Sequence, residues 1–154
     1  GLIEEVLTDL EPLAQEKNIE LIQNSHRGGE KEDEELFLTG SDILIYRMLY
    51  NLVENAIKYN QKDGTVTVSA IKEKNEVVLT VSDTGNGIDE AFRTQIFEPF
   101  FRIDKSRSRE LGGVGLGLTM VREVVRVHDG TIKVYANKNK GTTFEVKMRL
   151  GAEK

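Results

Sequence analysis

The fold of this chain is predicted most directly by residues 51–60, which read NLVENAIKYN. Asn51, Asn55 and Lys58 follow one another at i, i+4 and i+7, so on a helix they form one polar stripe. Two amides and an ammonium in a row can bind phosphate oxygens and a hard cation such as Mg²⁺, although a solvated helix face is the simpler interpretation. The apolar residues that recur at three and four residues beside this stripe, and so predict a buried helix face, are Ile45, Met48, Leu49, Leu52, Val53 and Ala56.

The flanking segments predict an α+β domain. Residues 2–17 have helical spacing, and Pro12 is expected to kink that helix or delay its start. Another helix is expected to begin at Leu118 and to end before Asp129-Gly130. This order of elements implies a two-layer sandwich with helices on one face of a mixed, mostly antiparallel sheet. The predicted strands are residues 19–24, 36–38, 65–71, 77–82, 132–136 and 144–150, the third and fourth of which form a hairpin.

A glycine turn, DTGNGID at residues 83–89, follows the hairpin. Asp83 lies at a strand end, where its carboxylate can accept a hydrogen bond from an exocyclic amine such as adenine N6. Gly85 and Gly87 would allow the backbone to approach a flat ring closely. A simple strand-to-helix turn with an Asp cap is the alternative.

Residues 96–117 predict a long functional loop. Its first part, FEPFFRIDKSRSR at residues 97–109, carries Arg102, Lys105 and Arg107, cations that suit the charge on a transferring phosphoryl group. A solvated charged loop is again the alternative. Its second part, GGVGLGL at residues 112–118, leads into a helix and could offer backbone N–H groups to an anion. No Gly-Lys-Ser/Thr follows, so it is not a P-loop.

Composition narrows the class of protein. The chain has 154 residues, which suits one domain, and its net charge of −5 argues against a nucleic-acid surface. It has no cysteine, which excludes disulfides and thiolate sites. No apolar run approaches the roughly 20 residues of a membrane-spanning helix. Because the chain begins with Gly1 rather than Met, we expect a piece of a longer protein.

The four motifs, taken in order, resemble the N box, first glycine box, F box and second glycine box of sensor histidine kinases, which share a superfamily with gyrase-type ATPases and some chaperones. The segment GTTFEVKM at residues 141–148 resembles the closing strand motif of that family. The resemblance runs from about residue 41 to residue 150. It implies the Bergerat ATP-binding fold with a long ATP lid, and ATP and Mg²⁺ as cofactors.

The resemblance also implies roles for individual residues. Asn55 would hold the Mg²⁺, Asn51 and Lys58 would assist at the phosphates, Tyr59 would lie against the adenine, and Asp83 would bind adenine N6. Thr143 would support the same edge of the base, and residues 98–113 would form the lid. Arg102 and Arg107 are the best candidates to reach the γ-phosphate, with Lys105 beside them. The remaining residues expected to line the base, the lid hinge or the phosphates are Gly85, Gly87, Ile88, Gly113, Gly115, Leu116 and Gly117.

Asn51 distinguishes the related activities. The hydrolysing relatives have at this position a glutamate that activates water, and an amide cannot accept a proton at neutral pH. Glu54 is adjacent to Asn55 and points about 100° away around the helix. The resemblance therefore implies transfer to a histidine on a separate dimerisation domain. Neither His26 nor His128 has the pattern of such an acceptor, and His128 is expected to have a capping or packing role.

The expected organisation is a first helix at residues 1–17, which either links a missing dimerisation domain or opens the ATP-binding domain of residues 18–154. The expected partners are ATP or ADP, the dimerisation and phosphoacceptor domain of a homodimeric parent, and a response regulator, with no nucleic acid and no membrane contact by this segment. We expect a cytoplasmic domain whose parent is a candidate bacterial inner-membrane sensor. The alternatives are a stand-alone serine kinase of the anti-sigma type, an ATPase of the same superfamily, and a non-catalytic nucleotide-sensing module. Asp83→Ala is expected to abolish nucleotide binding and leave the fold intact.

Overall fold

The structure is a computed structural model that describes residues 2–24, 42–73, 76–85, 116–137 and 140–149. The predicted strand at residues 36–38 and most of the predicted loop at residues 96–117 lie outside these ranges. Within them the chain forms, in order, α1 (Leu2–Glu16), β1 (Glu20–Gln23), α2 (Asp42–Lys58), β2 (Thr65–Glu73), β3 (Glu76–Asp83), α3 (Leu116–Val127), β4 (Thr131–Ala136) and β5 (Thr142–Arg149).

The five strands form one mixed sheet in the order β1-β2-β3-β5-β4. β1 pairs with β2 in parallel, and the other three pairings are antiparallel. The register places Val68 opposite Val81, Val81 opposite Phe144, and Phe144 opposite Val134, so one row of apolar side chains crosses four strands. The predicted hairpin of β2 and β3 and the mostly antiparallel sheet are confirmed.

The helices share one hydrophobic core with one face of the sheet. Strand residues such as Val66 and Val146 are fully buried in the same cluster as Leu10 of α1, Leu52 of α2 and Val121 of α3. On β2 the residues that alternate with the buried ones, Thr65, Thr67 and Ser69, are polar and less buried, because successive side chains of a strand point to opposite faces of the sheet. The two-layer α+β sandwich is therefore confirmed.

Helix α1 packs as part of this core. Val6, Leu10 and Ala14, four residues apart, are buried, and the helix continues through Pro12 from Leu2, so the expected late start was wrong. It ends at a left-handed Asn18 (φ 56°), where Ile19 N donates to Ala14 O across 2.9 Å. A link from α1 to a preceding domain stays a prediction.

Helix α3 begins at Leu116, earlier than the predicted Leu118, so the predicted loop was too long at this end. Gly117 therefore lies in the first turn of this helix. At the other end His128 is buried, and its Nδ1 lies 2.7 Å from Val124 O, which confirms the packing role predicted for it. None of the helices described here is both long and apolar enough to cross a bilayer.

Candidate functional site

The amides of Asn51 and Asn55 are held on one line along α2. Asn51 Nδ2 donates to Arg47 O, and Asn55 Nδ2 donates to Asn51 O, each across 2.8 Å. Each amide nitrogen therefore gives one of its two N–H groups to the backbone one turn earlier. The amide oxygens can bind a metal ion, since oxygen is the ligand atom that Mg²⁺ prefers.

Lys58 continues this line toward the end of the helix. Its Nζ lies 3.6 Å from Glu54 Oε2, and both side chains keep about a quarter of their surface exposed (23% and 27%). Such an exposed i, i+4 pair is worth only about 0.3–0.5 kcal/mol. The ammonium can therefore exchange this partner for a phosphate at little cost.

The end of α2 is tied down by residues distant in sequence. Lys17 Nζ donates to Lys58 O across 2.7 Å and to Asn60 O across 2.8 Å. A cation at these last carbonyls stabilises the negative end of the helix. Asn60 is buried and donates from Nδ2 to Thr65 O, whereas the Tyr59 ring is 40% exposed and accessible to a ligand.

Asp83 ends β3 with a half-buried carboxylate. Its Oδ1 accepts hydrogen bonds from Gly85 N across 2.8 Å and from Thr142 N across 3.2 Å. Burial raises the pKa of the Asp83 carboxyl above its ordinary range, and the two N–H donors act in the opposite direction. Because Oδ1 is used within the protein, Oδ2 is the oxygen that can accept a hydrogen bond from a ligand.

The end of β3 is packed directly on the end of α2. A Cβ at Gly85 would lie 2.7 Å from Tyr59 O and 3.0 Å from the Cα of Asn60, so a side chain would separate the two elements. Thr84 Oγ1 lies 3.3 Å from Asn60 Oδ1 and strengthens the contact. This packing brings Asp83 next to Tyr59. It also explains why Gly85 lacks a side chain, whereas its expected place against a nucleotide base stays a prediction.

Thr143, expected beside Asp83, has its side chain on the other face of the sheet. It pairs with Ser82 in the register, and its Oγ1 lies 2.9 Å from Ser82 Oγ and is hydrogen-bonded to Asn137 Oδ1. The residue that contacts the Asp83 carboxylate is the buried Thr142, through its backbone. Sequence reasoning missed Thr142 and Asn137. Alternation places the side chain of Thr142 on the face of Phe144 and Val146, but its contact with Asp83 is made by the backbone N–H, which alternation does not predict.

The remaining predicted site residues do not belong to the junction of β3 with α2. Two of them, Leu116 and Gly117, open α3. The others lie outside the described residues, and their roles stay predictions; they are Gly87, Ile88, Arg102, Lys105, Arg107, Gly113 and Gly115.

Residues 40–152 match the model of the family described as histidine kinase-, DNA gyrase B-, and HSP90-like ATPase. Sensor protein CiaH of Streptococcus pneumoniae is 39% identical over 108 residues, which are 70% of this chain and 24% of CiaH. Sensor-like histidine kinase SenX3 of Mycobacterium tuberculosis is 40% identical over 113 residues, which are 73% of this chain and 28% of SenX3. The chain thus spans about a quarter of the length of these relatives.

Solved structures of histidine kinases match almost the whole chain. The nucleotide-free catalytic domain of histidine kinase ThkA matches with a TM-score of 0.81 and 27% identity, covering 97% of this chain and 90% of that one. Full-length ShkA in complex with AMPPNP matches with a TM-score of 0.79 and 26% identity, covering 99% and 30%. ThkA in complex with response regulator protein TrrA matches with a TM-score of 0.77 and 25% identity, covering 97% and 40%.

The sheet order, the helices on one face and the family match over most of the chain agree with one another. The chain has the Bergerat ATP-binding fold and belongs to the histidine kinase-, DNA gyrase B- and HSP90-like ATPase family.

Proposed function

We propose that this chain binds Mg-ATP and donates the γ-phosphoryl group to a histidine on the dimerisation domain of its own sensor histidine kinase. The observation that carries the proposal is the junction of β3 with α2. It sets the Asp83 carboxylate, whose Oδ2 can accept a hydrogen bond, beside the end of the helix that carries Asn51, Asn55 and Lys58.

The side chains of this junction suit the parts of a nucleotide. Asp83 Oδ2 would accept from the exocyclic amine of adenine, and the exposed Tyr59 ring would lie against the base. Asn55 Oδ1 would ligate the Mg²⁺, which neutralises phosphate charge when bound. Asn51 and Lys58 would contact the phosphate oxygens. The complex of the related ShkA with AMPPNP supports a nucleotide as the ligand.

Transfer to another protein domain is favoured over hydrolysis because the site lacks a general base on the polar line of α2. Asn51 is an amide whose nitrogen donates to Arg47 O, and Glu54, adjacent to Asn55, points about 100° away around the helix. Neither group is arranged to take a proton from water. The lack of a general base disfavours two alternatives, an ATPase and a serine kinase of the anti-sigma type.

The lid is part of the same proposal. Arg102, Lys105 and Arg107 would stabilise the charge that develops on the transferring phosphoryl group, and the glycines at positions 113, 115 and 117 would form the lid hinge. These assignments rest on the motif resemblance.

The parent protein is proposed to be a homodimeric sensor; the curated relatives are sensor proteins, and the matched segment makes up only 24% of CiaH and 28% of SenX3. This domain would act in the cytoplasm of a bacterium beneath a sensor of the inner membrane. A response regulator would then accept the phosphoryl group; the structure of the related ThkA in complex with response regulator protein TrrA supports a response regulator as partner.

A phosphotransfer assay tests the proposal. The chain is mixed with the separately expressed dimerisation domain of its parent and with ATP labelled at the γ-phosphate, and we expect label on that domain in an acid-labile linkage. Acid-stable label would indicate a serine kinase, and released inorganic phosphate without protein label would indicate an ATPase. Calorimetry with Mg-ATP is the control, because a preparation that binds nucleotide but transfers no label contradicts the proposal.

A further inference from the structure

The carbonyl group of Asp83 is held from the side of the sheet opposite to its carboxylate. Asn137 Nδ2 donates to Asp83 O across 2.8 Å and to Ser82 Oγ across 3.1 Å. Its Oδ1 accepts from Thr143 Oγ1. The amide of Asn137 is therefore bonded at both of its polar atoms, and its Nδ2 contacts the peptide group that follows the Asp83 side chain.

This contact spans two strands. Asn137 directly follows β4, and β5 lies between β4 and β3 in the sheet. The Asn137 side chain reaches β3 at the level of Gly141, which has no side chain. Gly141 has a φ of 106°, and a Cβ there would overlap the Asp83 carbonyl oxygen, the atom to which Asn137 donates. Asn137 N also donates to Gly141 O across 3.0 Å, which closes the turn between β4 and β5.

Two independent contacts thus fix Asp83. Gly85 N and Thr142 N hold Oδ1 on one side, and Asn137 Nδ2 holds the carbonyl oxygen on the other. The hydrogen bond to the carbonyl oxygen fixes the orientation of the Asp83 peptide, and the hydrogen bonds to Oδ1 fix the rotation of the side chain. The direction of Oδ2 is therefore set before any ligand binds. Preorganisation of this kind lowers the cost of binding.

We propose that Asn137 is a positioning residue that aims the Asp83 carboxylate and so determines how well the site distinguishes an adenine from a base without an exocyclic amine. This inference rests on the proposed function. Asn137 itself touches no ligand in this proposal. Its removal should weaken recognition of the base and leave the phosphate contacts of α2 unchanged.

Calorimetry of Asn137→Ala with Mg-ATP and with Mg-ITP tests this, because hypoxanthine has a carbonyl where adenine has the amine. We expect the Kd for ATP to rise about threefold to tenfold, the range that corresponds to one hydrogen bond, and the Kd for ITP to change less than about twofold. The ratio of the two affinities should therefore fall. An unchanged ratio would overturn the inference.

Val77→Ala is the matched control, since Val77 is buried at the other end of β3. It removes core volume from the same strand, and it should lower stability without changing the ATP-to-ITP ratio. If both variants reduce the two affinities in parallel, the effect of Asn137 is only structural.

Amide hydrogen exchange at Gly85 and Thr142 gives a readout that needs no nucleotide. Both amides should lose protection in Asn137→Ala and keep it in Val77→Ala, relative to the exchange of the rest of β3. If the wild-type chain binds neither nucleotide, the proposed function is wrong. The exchange data would still decide whether Asn137 orients the carboxylate. Unchanged protection in Asn137→Ala would contradict that orientation.

Discussion

Replacing Asp83 with asparagine separates nucleotide recognition from folding. In Asp83→Asn the side-chain oxygen can still accept from Gly85 N and Thr142 N, so the internal hydrogen bonds survive. The atom at the position of Oδ2 becomes an NH₂ group. A donor then faces the donor amine of adenine, and the charge that strengthened the contact is gone.

The size of the expected effect follows from these contacts. Loss of a hydrogen bond to a charged group costs about 2–3 kcal/mol, which corresponds to ATP binding that is weaker by about 30-fold to 150-fold. ITP offers a carbonyl to the new NH₂ group, so its affinity should fall far less or rise. Calorimetry with both nucleotides measures the change, and ATP binding within about threefold of wild type would refute the placement of the base at Asp83.

The same substitution should leave the free protein at least as stable as wild type at neutral pH. Burial raises the pKa of Asp83 in the folded state, so this carboxyl favours folding at low pH and that contribution is lost as pH rises. The free energy of unfolding of Asp83→Asn, relative to that of wild type, should therefore increase as the pH rises. The rise begins near 3.8, the ordinary pKa of the carboxyl, and continues through the raised pKa of the folded state. ATP affinity of the wild type should decrease as pH falls through this pKa. Thermal unfolding and calorimetry across this range check both signs, and a wild type that gains stability over the variant with rising pH would contradict them.

Asp83→Ala, expected from sequence to leave the fold intact, is a poorer test. It leaves the N–H groups of Gly85 and Thr142 without their acceptor, which costs about 2–4 kcal/mol for two partly buried donors. For a domain of this size we expect a decrease in Tm of roughly 5–15 °C. An alanine variant as stable as the asparagine variant would show that these two bonds contribute little.

The remaining predictions concern four other positions. Lys17→Met removes the donor to the last carbonyls of α2, and we expect thermal unfolding to show a loss of about 1–3 kcal/mol, whereas Lys17→Arg should retain most of it. Gly141→Ala places a Cβ against Asp83 O at a φ of 106°, so urea denaturation should show a loss of more than about 2 kcal/mol; a neutral result would mean that this turn can shift freely. Asn55→Asp adds a negative charge at the expected Mg²⁺ position, next to the phosphates, and removes the donor to its helix backbone, so calorimetry should detect no Mg-ATP binding while the circular dichroism spectrum stays that of wild type. Arg107→Ala should bind ATP normally and transfer phosphoryl about a hundredfold more slowly, and unchanged transfer would exclude Arg107 from that role.

The sequence by itself predicted the helices and strands that the structure describes, together with the polar line of α2. The spacing of Leu49, Leu52 and Val53 predicted the buried face of α2, and the polar line of Asn51 and Asn55 followed from the same helical period. Alternation predicted the strands for the same reason, since a repeat of two or of three to four residues is a property of the local backbone. The structure confirmed these elements because packing agreed with the local pattern.

Only the tertiary structure decided which residues meet at the end of β3. Sequence reasoning placed Thr143 at the edge of the base, which stays a prediction. It did not find the contact of Thr142 with Asp83, because that contact depends on the register between two strands that are far apart in the chain. It interpreted Gly85 as making room for a ring, which stays a prediction, and it did not foresee that a Cβ at Gly85 would meet the end of α2. It had no means of finding Asn137, whose side chain reaches Asp83 only because the sheet order places β5, and its Gly141, between them. Periodicity describes the face on which a residue lies, and contacts between distant segments are set by how those faces pack.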